Sequence, residues 1–168
     1  MRVQTIALNL SLLITILFVT QVLAEDLPQE CIEAREVRSP QAQVDLFTSC
    51  LATGRLRGND KSTTLKQRAI AYMHLGQHPR ALDDINQAIK IRPDDADNFY
   101  LRGFSYRALN QNQKALEDCN RAINIDPNFA AAYATRAFAN KSLGNVDQAK
   151  ADVRRALELD PKVKVPMF

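Results

Sequence analysis

Apolar residues recur at helical spacing in three segments of this chain, and each segment ends at a proline. The three segments read 80-RALDDINQAIKIRP-93, 114-KALEDCNRAINIDP-127 and 148-QAKADVRRALELDP-161. Each predicts an amphipathic helix that the closing proline stops, because proline lacks the backbone N–H that a helix needs. Another helical pattern precedes each segment, and a polar break such as 76-GQHP-79 separates the two.

These helix pairs form a repeat of 34 residues that aligns without a gap over 62–95, 96–129 and 130–163. Small residues and proline recur at fixed columns, namely Ala69, Gly103, Ala137; Ala81, Ala115, Ala149; Ala88, Ala122, Ala156; and Pro93, Pro127, Pro161. Small residues allow helices to approach closely, and a helix pair alone cannot bury its apolar face. The pattern therefore predicts an all-α fold, an α-solenoid of stacked antiparallel helix pairs.

The repeat resembles the tetratricopeptide repeat in period, small residues, aromatic positions and terminal proline. In the family's pattern W-x2-L-G-x2-Y, this chain has Leu65, Phe99 and Tyr133 for Trp; Ala69, Gly103 and Ala137 for Gly; and Tyr72, Tyr106 and Asn140 for Tyr. The resemblance covers residues 62–163. It implies a non-catalytic scaffold whose first helices line a concave face for a partner.

Cys119 stands in a repeat column shared with Ile85 and Val153. This column matches the family's buried Phe, so Cys119 is interpreted as a small apolar core residue. A catalytic thiol is the alternative, but it needs an electropositive and partly exposed setting.

Arginine replaces the family's usual Leu in all three repeats, and an aspartate follows each arginine by sixteen residues. The expected pairs are Arg68 with Asp84, Arg102 with Asp118, and Arg136 with Asp152. Helix pairing within a repeat predicts a ladder of charge-assisted hydrogen bonds. The alternative is an arginine row that binds anionic ligands.

Residues 25–61 lie outside the clean period and are predicted to form a capping hairpin of two helices, 28–39 and 40–56. Aligning Pro40 with Pro79 would place Ala42, Leu46 and Ser49 at the repeat's buried columns. We predict a disulfide between Cys31 and Cys50, one on each helix, because the N-terminal residues 1–24 predict export to an oxidising compartment. Two free buried thiols are the alternative.

The N-terminus has the pattern of a secretory signal: Arg2, an apolar run over 6–23, and Ala24 before acidic residues. We therefore predict a signal peptide over 1–24 and export, to a bacterial periplasm or otherwise by secretion. An uncleaved membrane anchor is the alternative, although polar residues interrupt the run. After cleavage no membrane association is expected.

Charge and composition narrow the function. The net charge is +3, positive and negative residues are interspersed, and the chain has no tryptophan. These features argue against a nucleic-acid partner, which needs a concentrated positive surface. The only two histidines, His74 and His78, have no cysteine or third histidine near them, and Gly76 and Pro79 place His78 in a turn. We predict no enzyme activity, no cofactor and no metal site.

The repeat register predicts a groove on the concave face for a peptide or partner helix with apolar anchors and acidic character. Its predicted lining is Lys66, Ile70, Met73, His74, Tyr100, Phe104, Arg107, Ala134, Phe138 and Lys141. Phe104 and Phe138 are the expected anchors, unless they only pack against neighbouring helices. The carboxylate clamp of chaperone-binding family members is not expected, because only Lys66 fits it and Ile70 and Leu101 replace its asparagines.

The tail after the last repeat, residues 164–168, belongs to the stretch 162-KVKVPMF-168, which is apolar where a solenoid end needs a polar cap. Either this stretch folds back over the last helix, or this end of the solenoid meets another molecule. The second case predicts a homodimer and a structural self-assembly protein as the alternative to an interaction scaffold. A retained anchor would make the protein a membrane-bound assembly factor.

Overall fold

The computed structural model describes residues 27–168, and within them the chain forms eight α-helices. The helices are α1 Gln29–Glu36, α2 Pro40–Ala52, α3 Gly58–His74, α4 His78–Ile91, α5 Ala96–Ala108, α6 Asn112–Ile125, α7 Ala130–Ser142 and α8 Val146–Leu159. The predicted signal peptide, 1–24, lies outside the described residues. No helix in the described part is both long and apolar enough to cross a membrane.

The tight turns between paired helices share one backbone feature. Gly76, Asn110 and Gly144 occupy the same repeat position and all have positive φ, at 70°, 59° and 83°. This left-handed conformation ends a helix, and glycine or asparagine adopts it at lowest cost. The polar breaks of the sequence are therefore the turns that fold each pair back on itself.

The helices pack in sequence order, each against the next, as in an α-solenoid. The most extensive contacts lie within the pairs α3/α4, α5/α6 and α7/α8, and α5 also contacts α7 directly. Ala69, Ala81 and Ile85 are fully buried in the first pair. In the second pair, a Cβ added to Gly103 would lie 3.2 Å from both the Ala115 carbonyl oxygen and the Cys119 sulfur. The predicted all-α solenoid is confirmed, and small residues lie where the helices approach most closely.

The N-terminal hairpin is formed by α1 and α2, joined by a disulfide between Cys31 and Cys50 with their Cα atoms 5.2 Å apart. The buried residues of α2 are Val44, Phe47 and Cys50. Alignment of Pro40 with Pro79 predicted the wrong face, because Ser49 is exposed and Ala42 and Leu46 are only partly buried. Cys50 must face α1 to reach Cys31, and this fixes the rotation of α2.

The C-terminal tail folds back over the last helix pair, which is the first of the two alternatives that the sequence left open. Pro166 is buried, Lys141 donates a hydrogen bond to the Met167 carbonyl, and the Phe168 ring lies 5.1 Å from the Lys141 ammonium nitrogen. The side chains at the end remain accessible, since Met167 is 87% exposed and Phe168 54% exposed. The tail thus covers part of a helix surface that would otherwise meet a further repeat.

Candidate functional site

Each arginine of the predicted ladder makes two hydrogen bonds to its aspartate. The Nε and Nη2 atoms bind the two carboxylate oxygens at 2.8 and 2.7 Å for Arg68–Asp84, 2.8 and 2.7 Å for Arg102–Asp118, and 3.0 and 2.6 Å for Arg136–Asp152. The hydrogen bonds that Arg68 and Arg102 donate to Asp84 and Asp118 raise the pKa values of the two arginines against the opposing effect of burial. These guanidinium groups are neutralised within their own repeats and are not a row of free anion-binding sites.

The ladder also connects neighbouring repeats, through contacts that the sequence reasoning missed. The remaining Nη1 atom of each arginine donates to the preceding helix pair, at Thr48, Asn86 and Asn120 respectively. Asn86 and Asn120 occupy equal positions in their repeats, so a column comparison could have found them. The arginines therefore stabilise both the helix pair and the stacking of pairs.

Cys119 is a core residue in the structure. Its exposure is 0%, and burial, with a smaller contribution from Asp118, raises the pKa of its thiol to about 12. A thiol with such a pKa is protonated at neutral pH and is a poor nucleophile. Ile85 in the same column is also fully buried.

The concave face contains an open pocket of about 360 Å³ between α5, α7 and the tail. Five predicted groove residues line it together: Tyr100, Phe104, Arg107, Ala134 and Phe138. The two phenylalanines are partly buried, so they contribute to packing and still present ring surface to the pocket. Most of the surface is apolar, as in pockets that hold the anchor side chain of a peptide.

Arg107 lies between the rings of Phe104 and Phe138, with its guanidinium carbon 4.9 and 5.0 Å from their centroids. Its Nε is inaccessible to solvent and has no hydrogen-bond partner within residues 27–168. Burial, and then the charge of Arg107, lower the pKa of His78, whose ring centroid is 6.4 Å from that of Phe104. Burial also raises the pKa of Tyr100. The pocket therefore combines aromatic walls with two cations, Arg107 and Lys164 of the tail.

A second concave pocket lies nearer the first repeat and is lined in part by Lys66, Ile70, Tyr100 and Phe129. Lys66 is bound there by two carboxylates, Asp95 at 3.3 Å and Asp97 at 3.0 Å. The one residue that fits the family's carboxylate clamp is thus already paired within the chain.

The other predicted groove residues differ in position. Met73 packs against the core of the first pair, and His74 is exposed and lines neither of the two pockets. Ala134 lines the first pocket, whereas Lys141 binds the tail. The sequence reasoning missed four pocket residues, which are Ala131, Thr135, Val163 and Lys164. Val163 and Lys164 line the pocket because the tail folds back, which is one of the two outcomes that the sequence allowed.

Family models described as tetratricopeptide repeat match residues 62–95, 96–129 and 130–163. A search of curated proteins gave no match. The three matched segments coincide with the three units of the gapless alignment.

Solved structures of tetratricopeptide domains are similar to this fold. The second such domain of human RPAP3, in complex with the HSP70 peptide SGPTIEEVD, is 27% identical with a TM-score of 0.58, over 62% of this chain and 87% of that one. The tetratricopeptide domain of Arabidopsis OM64 is 31% identical with a TM-score of 0.60, over 61% of this chain and 85% of that one. The crystal structure of MamA has a TM-score of 0.66 at 22% identity, over 76% of this chain and 72% of that one, and shows the fold alone.

Proposed function

Because this chain belongs to the tetratricopeptide repeat family, we propose that it is a non-catalytic scaffold that binds a peptide or partner helix in its concave groove. The observation that carries the proposal is the open pocket formed by Tyr100, Phe104, Arg107 and Phe138. Ring surface that remains accessible in a concave pocket is typical of a site for an apolar anchor.

The similar RPAP3 domain supports a peptide ligand, since it was solved with a bound HSP70 peptide. The details of the ligand differ here. Lys66 is occupied by Asp95 and Asp97, and Ile70 offers no hydrogen bond where the clamp has asparagine. The proposed partner therefore has apolar anchors that contact Phe104 and Phe138. It also has acidic character that matches Arg107, which forms no ion pair within residues 27–168.

The proposed setting is outside the cytoplasm, in a bacterial periplasm or as a secreted protein. The basis is the pattern of residues 1–24 together with the cysteine pair in the N-terminal hairpin. Mass measurement of the protein isolated from its native cells tests this proposal: a mature chain that starts at Glu25 supports export, and an intact N-terminus contradicts signal cleavage.

Crosslinking and affinity capture from native cells identify the partner, and a double variant tests the groove. We expect Phe104→Ala with Phe138→Ala to weaken partner binding about tenfold or more, because central aromatic anchors dominate interface energies. Tyr106→Ala is the matched control, since this half-buried ring contacts Lys114 and lines neither concave pocket. If the folded double variant binds the captured partner as tightly as the parent, the groove is not the binding site.

A further inference from the structure

The guanidinium group of Arg107 is the feature of the groove that the fold itself does not explain. The ladder arginines each bind an aspartate, and Arg92 and Arg155 bind Asp95 and Glu158. Within residues 27–168 no carboxylate pairs with Arg107, and its buried Nε has no acceptor. A partly desolvated donor without an acceptor costs free energy, and the two phenylalanine rings offset only part of that cost.

We propose that Arg107 binds a carboxylate of the partner peptide, and that Tyr100, Phe104 and Phe138 hold the apolar side chain next to it. The inference rests on the proposed groove function and specifies the chemistry of its ligand. Bound between two rings, the guanidinium plane is held in place before the ligand arrives, which reduces the entropy lost on binding. The carboxylate belongs either to an aspartate or glutamate side chain or to the end of a chain.

A carboxylate fits this pocket better than a phosphate group. The lining is mostly apolar, and its cations are Arg107 and Lys164 of the tail. Lys141, another predicted groove cation, donates a hydrogen bond to the Met167 carbonyl. One planar guanidinium matches the two oxygens of a carboxylate, and the mostly apolar lining disfavours the larger charge of a phosphate group.

This site is separate from the positions of the chaperone-binding clamp. Arg107 and Phe104 are on α5 and Phe138 is on α7, so the pocket is formed by the second and third repeats. Lys66, the residue that fits the clamp, lies in the first repeat and is neutralised by Asp95 and Asp97. Carboxylate binding here therefore depends on a different residue.

His78 gives an independent signal of binding at Arg107. The positive charge of Arg107 contributes to the lowered pKa of His78. A carboxylate bound at Arg107 offsets that charge, so the pKa of His78 should rise on binding. The chain has only two histidines, and His74, exposed and outside the pocket, serves as the internal comparison.

The test uses three blocked dipeptides, followed by NMR through the His78 and phenylalanine ring resonances. N-acetyl-leucyl-glutamic acid amide carries a side-chain carboxylate, N-acetyl-leucyl-leucine carries a terminal carboxylate, and N-acetyl-leucyl-glutamine amide is the neutral comparison. We expect one or both carboxylate probes to bind about tenfold more tightly than the glutamine probe, a typical gain from a charge-assisted pair. Arg107→Gln should remove the difference, and Arg121→Gln, an exposed arginine that also lies over a ring, should keep it.

Preference for one carboxylate probe supports the proposal and identifies the source of the carboxylate. Equal binding of the glutamic acid, leucine and glutamine probes overturns it, as does an unchanged preference in Arg107→Gln, or tighter binding of inorganic phosphate than of both carboxylates. The comparison among probes on the parent protein needs no variant and stands even if Arg107→Gln folds poorly. A captured partner that is lost by the phenylalanine variants, while the probes bind equally, leaves the groove function intact and rejects the carboxylate alone.

Discussion

At the scale of residues, Asp118 is almost buried while its partner Arg102 is 23% exposed at the side chain. Removal of the aspartate would leave the guanidinium with its hydrogen bond to Asn86 on the preceding helix pair and its contact with the Phe99 ring. The same arrangement recurs with Asp84 and Asp152. Each ion pair of the ladder therefore matters for stability mainly because removal of one partner leaves the other without its opposite charge.

We expect Asp118→Ala to lower the free energy of unfolding by about 2 to 3 kcal/mol, because it leaves Arg102 desolvated and without its charged partner. Arg102→Met combined with Asp118→Leu should cost less than the single change, since no buried charge then remains. Urea unfolding followed by circular dichroism measures both. Asp147→Asn, an exposed acid on α8, is the control and should change stability by less than about 0.5 kcal/mol. A loss of under half a kilocalorie in Asp118→Ala would show that water replaces the aspartate.

Residue pairs inside one repeat could be predicted from the sequence, whereas contacts between repeats were harder to predict. The pairing of Arg68 with Asp84 follows from a fixed separation on two antiparallel helices. The position of Arg107 between Phe104 and Phe138 depends on the spacing of α5 and α7, which no column records. For the same reason the sequence identified Lys66 as a groove cation without showing that Asp95 and Asp97 bind it.

At the scale of elements, the N-terminal hairpin packs on a single side of the solenoid. Helix α2 contacts α3, and α1 contacts α2. Leu56 completes the small core around the Cys31–Cys50 disulfide. With one packing neighbour, this hairpin depends on its covalent link more than an internal repeat would.

We expect Cys31→Ser with Cys50→Ser to destabilise the hairpin by about 3 kcal/mol, because the link closes a loop with a sequence separation of 19 residues. Hydrogen exchange should speed up in Pro40–Ala52 and change little in α5 and α6. Peptide mapping without reduction should show residues 31 and 50 joined, with Cys119 alkylated only after unfolding. A link from Cys119 to either of the others, or unchanged exchange in α2, would contradict this account.

Helix boundaries within the repeats were predictable because glycine, asparagine and proline mark them in the chain itself. The turn at Asn110 has the same backbone conformation as those at Gly76 and Gly144. The face of α2 was predicted wrongly because the repeat column was extended to a helix whose rotation depends on a disulfide. Cys50 is buried where the alignment placed Ser49.

At the scale of the whole molecule, the chain continues after α8 as a short non-helical tail that lies over the last helix pair. The buried Pro166 and the partly buried Val163 and Val165 supply apolar contacts, and Lys141 holds the backbone near Met167. The tail also places Val163 and Lys164 in the wall of the pocket. The end of the stack and the proposed binding site are therefore connected through one segment.

Deletion of residues 162–168 should expose the apolar surface that the tail covers on the last helix pair. We expect a loss of about 1 to 2 kcal/mol in stability from the lost apolar burial. We also expect self-association that increases with protein concentration, because the uncapped end of a solenoid can pack against a second copy. Light scattering at several concentrations measures the association, and thermal unfolding measures the stability.

A variant at the exposed end of the tail distinguishes a capping role from self-assembly. Met167→Ser with Phe168→Ser removes the two accessible apolar side chains and keeps the buried Pro166. If the tail is a cap, this double variant and the parent are both monomeric and only the deletion associates. If the protein works by self-assembly through this end, the parent associates and the double variant does not, because Met167 and Phe168 would then be the contact. A monomeric deletion variant of unchanged stability would contradict the capping role, since the covered surface would then need no cover, and a monomeric parent would contradict self-assembly through this end.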